Sequence, residues 1–292
     1  MTAEKTATRR ILIVDDDRTL RHILIGLLEA AGHTVEQAAD GRAAMGLLDA
    51  GHYDLVVLDI GLPDVSGLDV LAHARGVASP PIVIMLTADD TPETLLAAVR
   101  RQAYRYVRKT FGPEAIVEFV EDAIAKASSA ALTIEVVSAR PEWLELVAPC
   151  TLEIADRIQM FVMQLDTTMP EPVRESVAQA FHELMINAIE WGGKLDPKRQ
   201  VRIACVRTRR MWLYRIADPG EGFDINDLRH AAINNPATDP LQHATVREQH
   251  GLRPGGLGLM LTRSLVDEVI YNEKRNEVML IKYLDEAKTG VS

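Results

Sequence analysis

Cysteine is nearly absent from this sequence. Cys150 and Cys205 are its only two, and neither has a second Cys or a His at metal-ligand spacing. A disulfide framework and a cysteine-based zinc site are thereby excluded, and both thiols read as small buried hydrophobes. Long apolar runs are missing too. No window approaches the roughly 18 uncharged apolar residues that a membrane span needs, and MTAEKTATRR is followed only by the short ILIV. No membrane span is expected. Basic charge is also scarce: 32 Lys and Arg face 42 Asp and Glu, a net charge of -10 with no basic stripe. That argues against direct contact with nucleic acid. The expectation is a cytoplasmic protein with no nucleic-acid or membrane partner.

What is present is ordinary globular material, 47% hydrophobic and 25% charged. A chain of 292 residues suits two domains, each with its own core. From Arg10, apolar strands alternate with helical stretches: strands at 11–14, 34–37, 55–59, 82–86 and 105–108, helices at 19–31, 41–50, 67–74, 92–101 and 113–127. Five βα units with nearly continuous apolar strands predict a doubly wound, flavodoxin-like parallel sheet with helices on both faces. The small, polar AKASSAALT marks a boundary, giving a first domain at 1–126, a linker at 127–132 and a second domain at 133–292. Beyond it the order changes. A strand at 134–138 precedes two long helices, about 142–164 and 172–191. Strands at 201–208, 211–217, 269–272 and 277–283 follow, with a helix at 257–266 among them. Helices segregated from a mixed or antiparallel sheet predict an α+β sandwich.

Three carboxylates fall at strand ends in the first domain: Asp15 and Asp16 after ILIV, and Asp59 closing LVVLD. In a parallel sheet these ends share one edge, where ligands gather. Like charges held together there need a cation, and Mg²⁺ is the hard-oxygen candidate. Thr87 and Lys109 follow the fourth and fifth strands and supply a hydroxyl and an ammonium to the same edge. The segments ILIVDDDRTLR, LVVLDIGLPDVSGLDVL, MLTADD and YVRKTF resemble, in order and spacing, the receiver domain of two-component response regulators over about 10–126. That resemblance implies that Asp59 is the phosphoacceptor and that Asp15 and Asp16, with Asp59, hold Mg²⁺. It implies further that Thr87 and Lys109 sense the phosphoryl group and that Tyr106 is the rotating aromatic of the switch. Two departures stand out. Lys109 precedes Thr110 where the family usually has proline, and Gln102 replaces a common glycine.

In the second domain Glu183 and Asn187 are four residues apart on a predicted helix and project from one face. DPGEGF at 218–223 follows an apolar strand, and GGLGLML at 255–261 opens a helix. Asp218 can accept the exocyclic amine of adenine, Gly220 and Gly222 permit close backbone approach, and Gly255, Gly256 and Gly258 can present N–H groups to phosphates. ELMINAIEWGG, IADPGEGFD and GGLGLMLTRSLVDEVIY resemble, over about 133–284, the GHKL ATPases with their Bergerat ATP-binding fold. Within these the likeness is to the anti-sigma-factor serine kinases. The resemblance implies ATP with Mg²⁺ on Asn187, Glu183 as the catalytic base, and a mobile lid over 224–254. Trp191 stands at the position of a usual His. His182, Glu183 and Leu184 look superficially like the phosphorylated-histidine motif of sensor kinases, but they lie inside the Asn-bearing helix and lack the downstream proline.

The combination implies a response regulator whose phosphorylation by an upstream histidine kinase or phosphotransfer protein controls a serine/threonine kinase. Its downstream partner would be antagonist-like or sigma-factor-like. A non-catalytic, ATP-dependent anti-sigma switch and a histidine-directed kinase are the alternatives, and homodimerisation is left open.

Overall fold

The computed structural model describes residues 8–88, 91–110, 112–126, 133–165, 169–223, 245 and 258–284. The chain divides into two compact units, Met1–Ala131 and Leu132–Ser292.

In the first unit, β1 (Arg10–Val14), β2 (Thr34–Ala38), β3 (Leu55–Asp59), β4 (Ile82–Thr87) and β5 (Arg105–Arg108) form a parallel sheet in the order β2-β1-β3-β4-β5. Five helices alternate with them: α1 (Arg18–Ala30), α2 (Gly41–Ala50), α3 (Gly67–Gly76), α4 (Pro92–Arg100) and α5 (Pro113–Lys126). The strands are apolar on both faces because both faces are covered. Ile11, Ile13, Leu55, Val57, Ile84, Leu86 and Val107 pack with Leu24 and Leu28 of α1 and Ile116 and Val120 of α5. Each of the first three helices begins on a side-chain cap, from Asp17, Asp40 and Ser66. These caps satisfy first-turn N–H groups and fix where each strand-to-helix loop ends.

The second unit holds a six-stranded antiparallel sheet in the order β10-β11-β9-β8-β7-β6. Its strands are β6 (Glu135–Arg140), β7 (Trp143–Pro149), β8 (Gln200–Arg207), β9 (Met211–Ala217), β10 (Glu268–Tyr271) and β11 (Glu277–Tyr283). The helices are α6 (Leu152–Gln164), α7 (Glu171–Asn187) and α8 (Gly258–Leu265). One sheet face packs on the helices, and the rings of Phe181 on α7 and Tyr214 on β9 lie 5.4 Å apart. The expected single helix over 142–164 begins instead as a strand, Trp143–Pro149, and only Leu152–Gln164 is helical. Leu144, Leu146 and Ala148 are buried at every second position, the period of a half-covered strand. Pro149 closes the strand, and Thr151 then caps α6 by accepting from the Ile154 amide. The α-helix expected over 172–191 stops at Asn187 and continues as one π-helical turn, Ala188–Gly192. No helix among the described residues is long and apolar enough to cross a membrane.

Candidate functional site

At the carboxyl edge of the parallel sheet, Asp15 is fully buried, Asp59 and Thr87 nearly so, and Asp16 is exposed. Carboxylate oxygens of Asp15, Asp16 and Asp59 lie within 4.8 Å of one another. Lys109, one residue past β5, reaches across to them: its Nζ donates to Asp59 Oδ2 at 2.8 Å and lies 2.9 Å from Asp15 Oδ2. The second contact is an ion pair without hydrogen-bond alignment, so Asp15 Oδ2 is a buried oxygen with no aligned donor. Asp15 Oδ1 accepts the Asp17 amide at 2.9 Å, and Arg21 Nη1 donates to the Asp15 carbonyl at 2.6 Å.

Burial pushes the Asp15 carboxyl above the usual aspartate range, against the pull of Lys109 and the Asp17 amide. Burial also works against charge on Lys109, yet the hydrogen bond to Asp59 and the ion pair with Asp15 leave its pKa raised. Three clustered carboxylates, one with an unaligned buried oxygen, fit a hard divalent cation such as Mg²⁺. Such an ion would neutralise the clustered carboxylates. The backbone is tight here: a side chain at Gly67 would collide with the Asp59 carbonyl. Lys109 is fixed by its amide, which donates to the Thr87 carbonyl at 2.7 Å. Tyr106, beside Met85 in the β4–β5 pairing, is buried.

Gln102 adopts φ 62°, in the left-handed region that glycine prefers. The departure from glycine noted in the sequence therefore sits at a position whose backbone favours glycine. Lys109–Thr110 is trans, as is every described peptide bond.

In the second unit, Glu183 and Asn187 occupy the last turns of α7, both half-buried. The π turn then carries Gly192 against Asp218, at the end of β9, so closely that a side chain at Gly192 would overlap the Asp218 carboxylate. Asp218 Oδ1 accepts the Gly220 amide at 2.7 Å. Oδ2 accepts no hydrogen bond from the described residues, which suits an acceptor for an adenine amine. Burial raises the Asp218 pKa, with the Gly220 amide and Arg199 opposing it. Gly222 has φ 87°, and a Cβ there would run into the Lys274 carbonyl. Among common residues, only glycine fits.

Three supporting side chains went unnoticed in the sequence. Arg199 Nη2 donates to the Pro219 carbonyl at 2.7 Å, Asn276 Nδ2 donates to the Gly220 carbonyl at 3.1 Å, and Arg21 holds Asp15. Arg199 and Asn276 carry no motif signal, because each acts through a backbone carbonyl far away in the chain, whereas Arg21 closes ILIVDDDRTLR and bonds a carbonyl six residues back. Gly192 was legible only as part of a repeated glycine. Gly258 begins α8, which packs on α7. Gly255, Gly256 and the expected lid at 224–254 lie outside the described residues, save Thr245.

Residues 11–121 match the family model of the response regulator receiver domain, and residues 148–282 match that of the histidine kinase-like ATPase domain. The transcriptional regulatory protein TcrA of Mycobacterium tuberculosis is 39% identical over 102 residues, 35% of this chain and 40% of that protein. BasR of Escherichia coli is 41% identical over 105 residues, covering 36% and 47%. NtrC of Azospirillum brasilense is 30% identical over 181 residues, covering 59% and 37%. The chain thus spans less than half the length of these curated relatives. Among solved structures, a CheY-like receiver domain protein from Methanospirillum hungatei aligns at 28% identity and TM-score 0.40, covering 41% of this chain and 96% of that one. TrrA of Thermotoga maritima, solved with Mg²⁺ and BeF, aligns at 34% identity and TM-score 0.36, covering 39% and 98%. The chain joins a response regulator receiver domain to a histidine kinase-like ATPase domain.

Proposed function

We propose that the protein is a response regulator in which phosphorylation of Asp59 controls an ATP-dependent protein kinase. Its substrate is a serine or threonine on an anti-sigma-factor-antagonist-like partner. The observation that carries the reading is the spacing between units: only residues 127–134 separate α5 from β6. A helical hairpin bearing a phosphorylatable histidine does not fit in that interval, which supports an acceptor on another protein.

In the first unit, Asp59 attacks a phosphoryl donor, Asp15 and Asp16 hold Mg²⁺ beside it, and Lys109 and Thr87 receive the oxygens of the phosphoryl group. Lys109 is already drawn onto Asp59 by the ion pair at 2.8 Å. A phosphoryl group on Asp59 changes the partners of that ammonium, and Thr87 and Tyr106 transmit the change to the face of α4 and β5. In the second unit, Asp218 takes the adenine amine, and Gly220 and Gly222 let backbone approach the nucleotide. Gly255, Gly256 and Gly258 supply N–H groups, Asn187 holds Mg²⁺, and Glu183 takes the proton of the acceptor hydroxyl.

The test is a transfer assay with labelled ATP and the candidate antagonist, with and without beryllofluoride on Asp59. Coupling between the two sites is expected to shift nucleotide or partner affinity by roughly 5- to 150-fold, about 1–3 kcal/mol. An acid-stable, base-labile product identifies phosphoserine or phosphothreonine; an acid-labile one points to histidine. If rate, nucleotide affinity, partner affinity and oligomeric state are all unmoved by beryllofluoride, receiver control is wrong.

A further inference from the structure

Apart from both sites, the first unit holds a cavity of about 340 Å³ beside the first turns of α1 and the end of β2, lined by Arg18, Arg21, His22, Gln37 and Ala39. In a chain of net charge -10, this lining holds two arginines and a histidine, and no carboxylate. Helical geometry explains the grouping, since residues three and four apart on α1 share a face. Arg18 and His22 are exposed, and neither has a partner among the described residues. Arg21 is 9% exposed, and its guanidinium is fixed by Nε donating to Gln37 Oε1 at 3.0 Å and Nη1 donating to the Asp15 carbonyl at 2.6 Å. Its Nη2 keeps unspent donors. The nearest acids of the same elements are committed elsewhere. Asp17 caps α1, and Glu36 is held by Arg10 and Tyr53.

A guanidinium pinned in place, with donors to spare and two unpartnered basic side chains beside it, matches a planar or tetrahedral oxyanion. The volume is within the range of small-ligand pockets, about 300–1,000 Å³, and the polar wall selects a compact anion over an apolar metabolite. We propose that this cavity binds a small phosphate-bearing anion, inorganic phosphate or a phosphate monoester. Arg21 links its occupancy to the phosphoacceptor pocket, because the same guanidinium that lines the cavity holds the carbonyl of Asp15. A ligand oxygen competing for Arg21 alters the support of the loop that carries Asp15 and Asp16.

The experiment uses the full chain with Mg²⁺, beryllofluoride and ADP at saturation, so that the other two oxyanion sites are filled. Inorganic phosphate and glycerol phosphate are then titrated by calorimetry. Saturable binding is expected in the wild type, weakened at least about tenfold in the double variant Arg18→Gln, His22→Gln through loss of charge-assisted bonds. That variant should still form the beryllofluoride adduct, which shows that it is folded. Arg21→Lys keeps the charge but not the fork and is expected to weaken phosphate as well. No saturable binding in the wild type, or equal binding in the double variant, overturns the site. For the coupling, the rate of beryllofluoride modification is measured against phosphate concentration without ADP; a rate that does not respond in the wild type overturns it.

Discussion

The two units build their chemistry from different materials. In the first, the reactive side chains stand at the ends of buried parallel strands, and their positions are set by a core packed on both faces. In the second, they come from the end of one helix and from a loop after β9, an interior strand, where a few hydrogen bonds to backbone carbonyls and bare glycine surface do the positioning. The first arrangement holds its acids in fixed places at the sheet edge. The second sets two bare glycines beside a half-buried acid, Asp218. Substitutions should therefore separate chemistry from fold cleanly in the first unit and less cleanly in the second.

The largest effect expected is at Asp59. Asp59→Asn should abolish the acetyl phosphate or beryllofluoride adduct while thermal stability stays close to wild type, read by mass spectrometry and melting together. An adduct retained in that variant would move the acceptor to another carboxylate. Next comes Glu183→Gln, which preserves shape and removes the base. Transfer to the partner protein is expected to fall about 10²- to 10⁴-fold with ATP affinity nearly unchanged. An undiminished rate would exclude the general-base role.

Asp218→Asn removes a charged acceptor from the second site. A hydrogen bond to a charged group is worth about 1.5–3 kcal/mol, so thermal-shift titration should show ATP weakened by roughly 10- to 150-fold. The acid's raised pKa gives this a pH signature. On acidification Asp218 takes up its proton earlier than an ordinary aspartate, and the neutral carboxyl is the poorer acceptor. Wild-type affinity should decline with falling pH from above the usual aspartate range, whereas the Asn variant stays flat across it. A wild-type profile parallel to that of Asp218→Asn would detach the nucleotide from this residue.

The smallest effect belongs to Gln102. A left-handed non-glycine residue costs about 1–2 kcal/mol, partly offset in the Gln102→Gly variant by about 0.4–1 kcal/mol of extra freedom in the unfolded chain. A net gain of under about 1.5 kcal/mol by chemical denaturation is expected. A loss of stability would show that contacts of the Gln102 side chain outweigh the backbone strain.

Much of the first unit was legible because one signal recurs: an apolar run, then an acid, hydroxyl or lysine at its end. Asp15, Asp59, Thr87 and Lys109 could be assigned to one edge from the alternation of strand and helix alone. In the second unit periodicity failed at Trp143–Pro149. Its Leu144, Leu146 and Ala148 fit a strand, but the apolar residues of the α6 segment follow so closely that one helix could absorb both. Arg21, Arg199 and Asn276 were illegible for another reason. Each works by donating to a backbone carbonyl, and any sequence offers a carbonyl at every position. Gly192 needed the register of the π turn before its contact with Asp218 could be seen.

That π turn has a consequence for how the chain tolerates insertions and deletions. It is closed by the Gly193 amide donating to the Ala188 carbonyl at 2.8 Å, five residues back, one more than an α-helix uses. Each α-helical residue advances the direction of a side chain by about 100°. Were the same residues to run on as regular α-helix, the glycine pair would swing away from Asp218 while Glu183 and Asn187 stayed where they are; deleting a single residue within Ala188–Gly192 would let a regular helix keep the pair in phase. The two halves of the proposed nucleotide site are thus kept in step by the winding of a helix, which absorbs one surplus residue, rather than by any side chain.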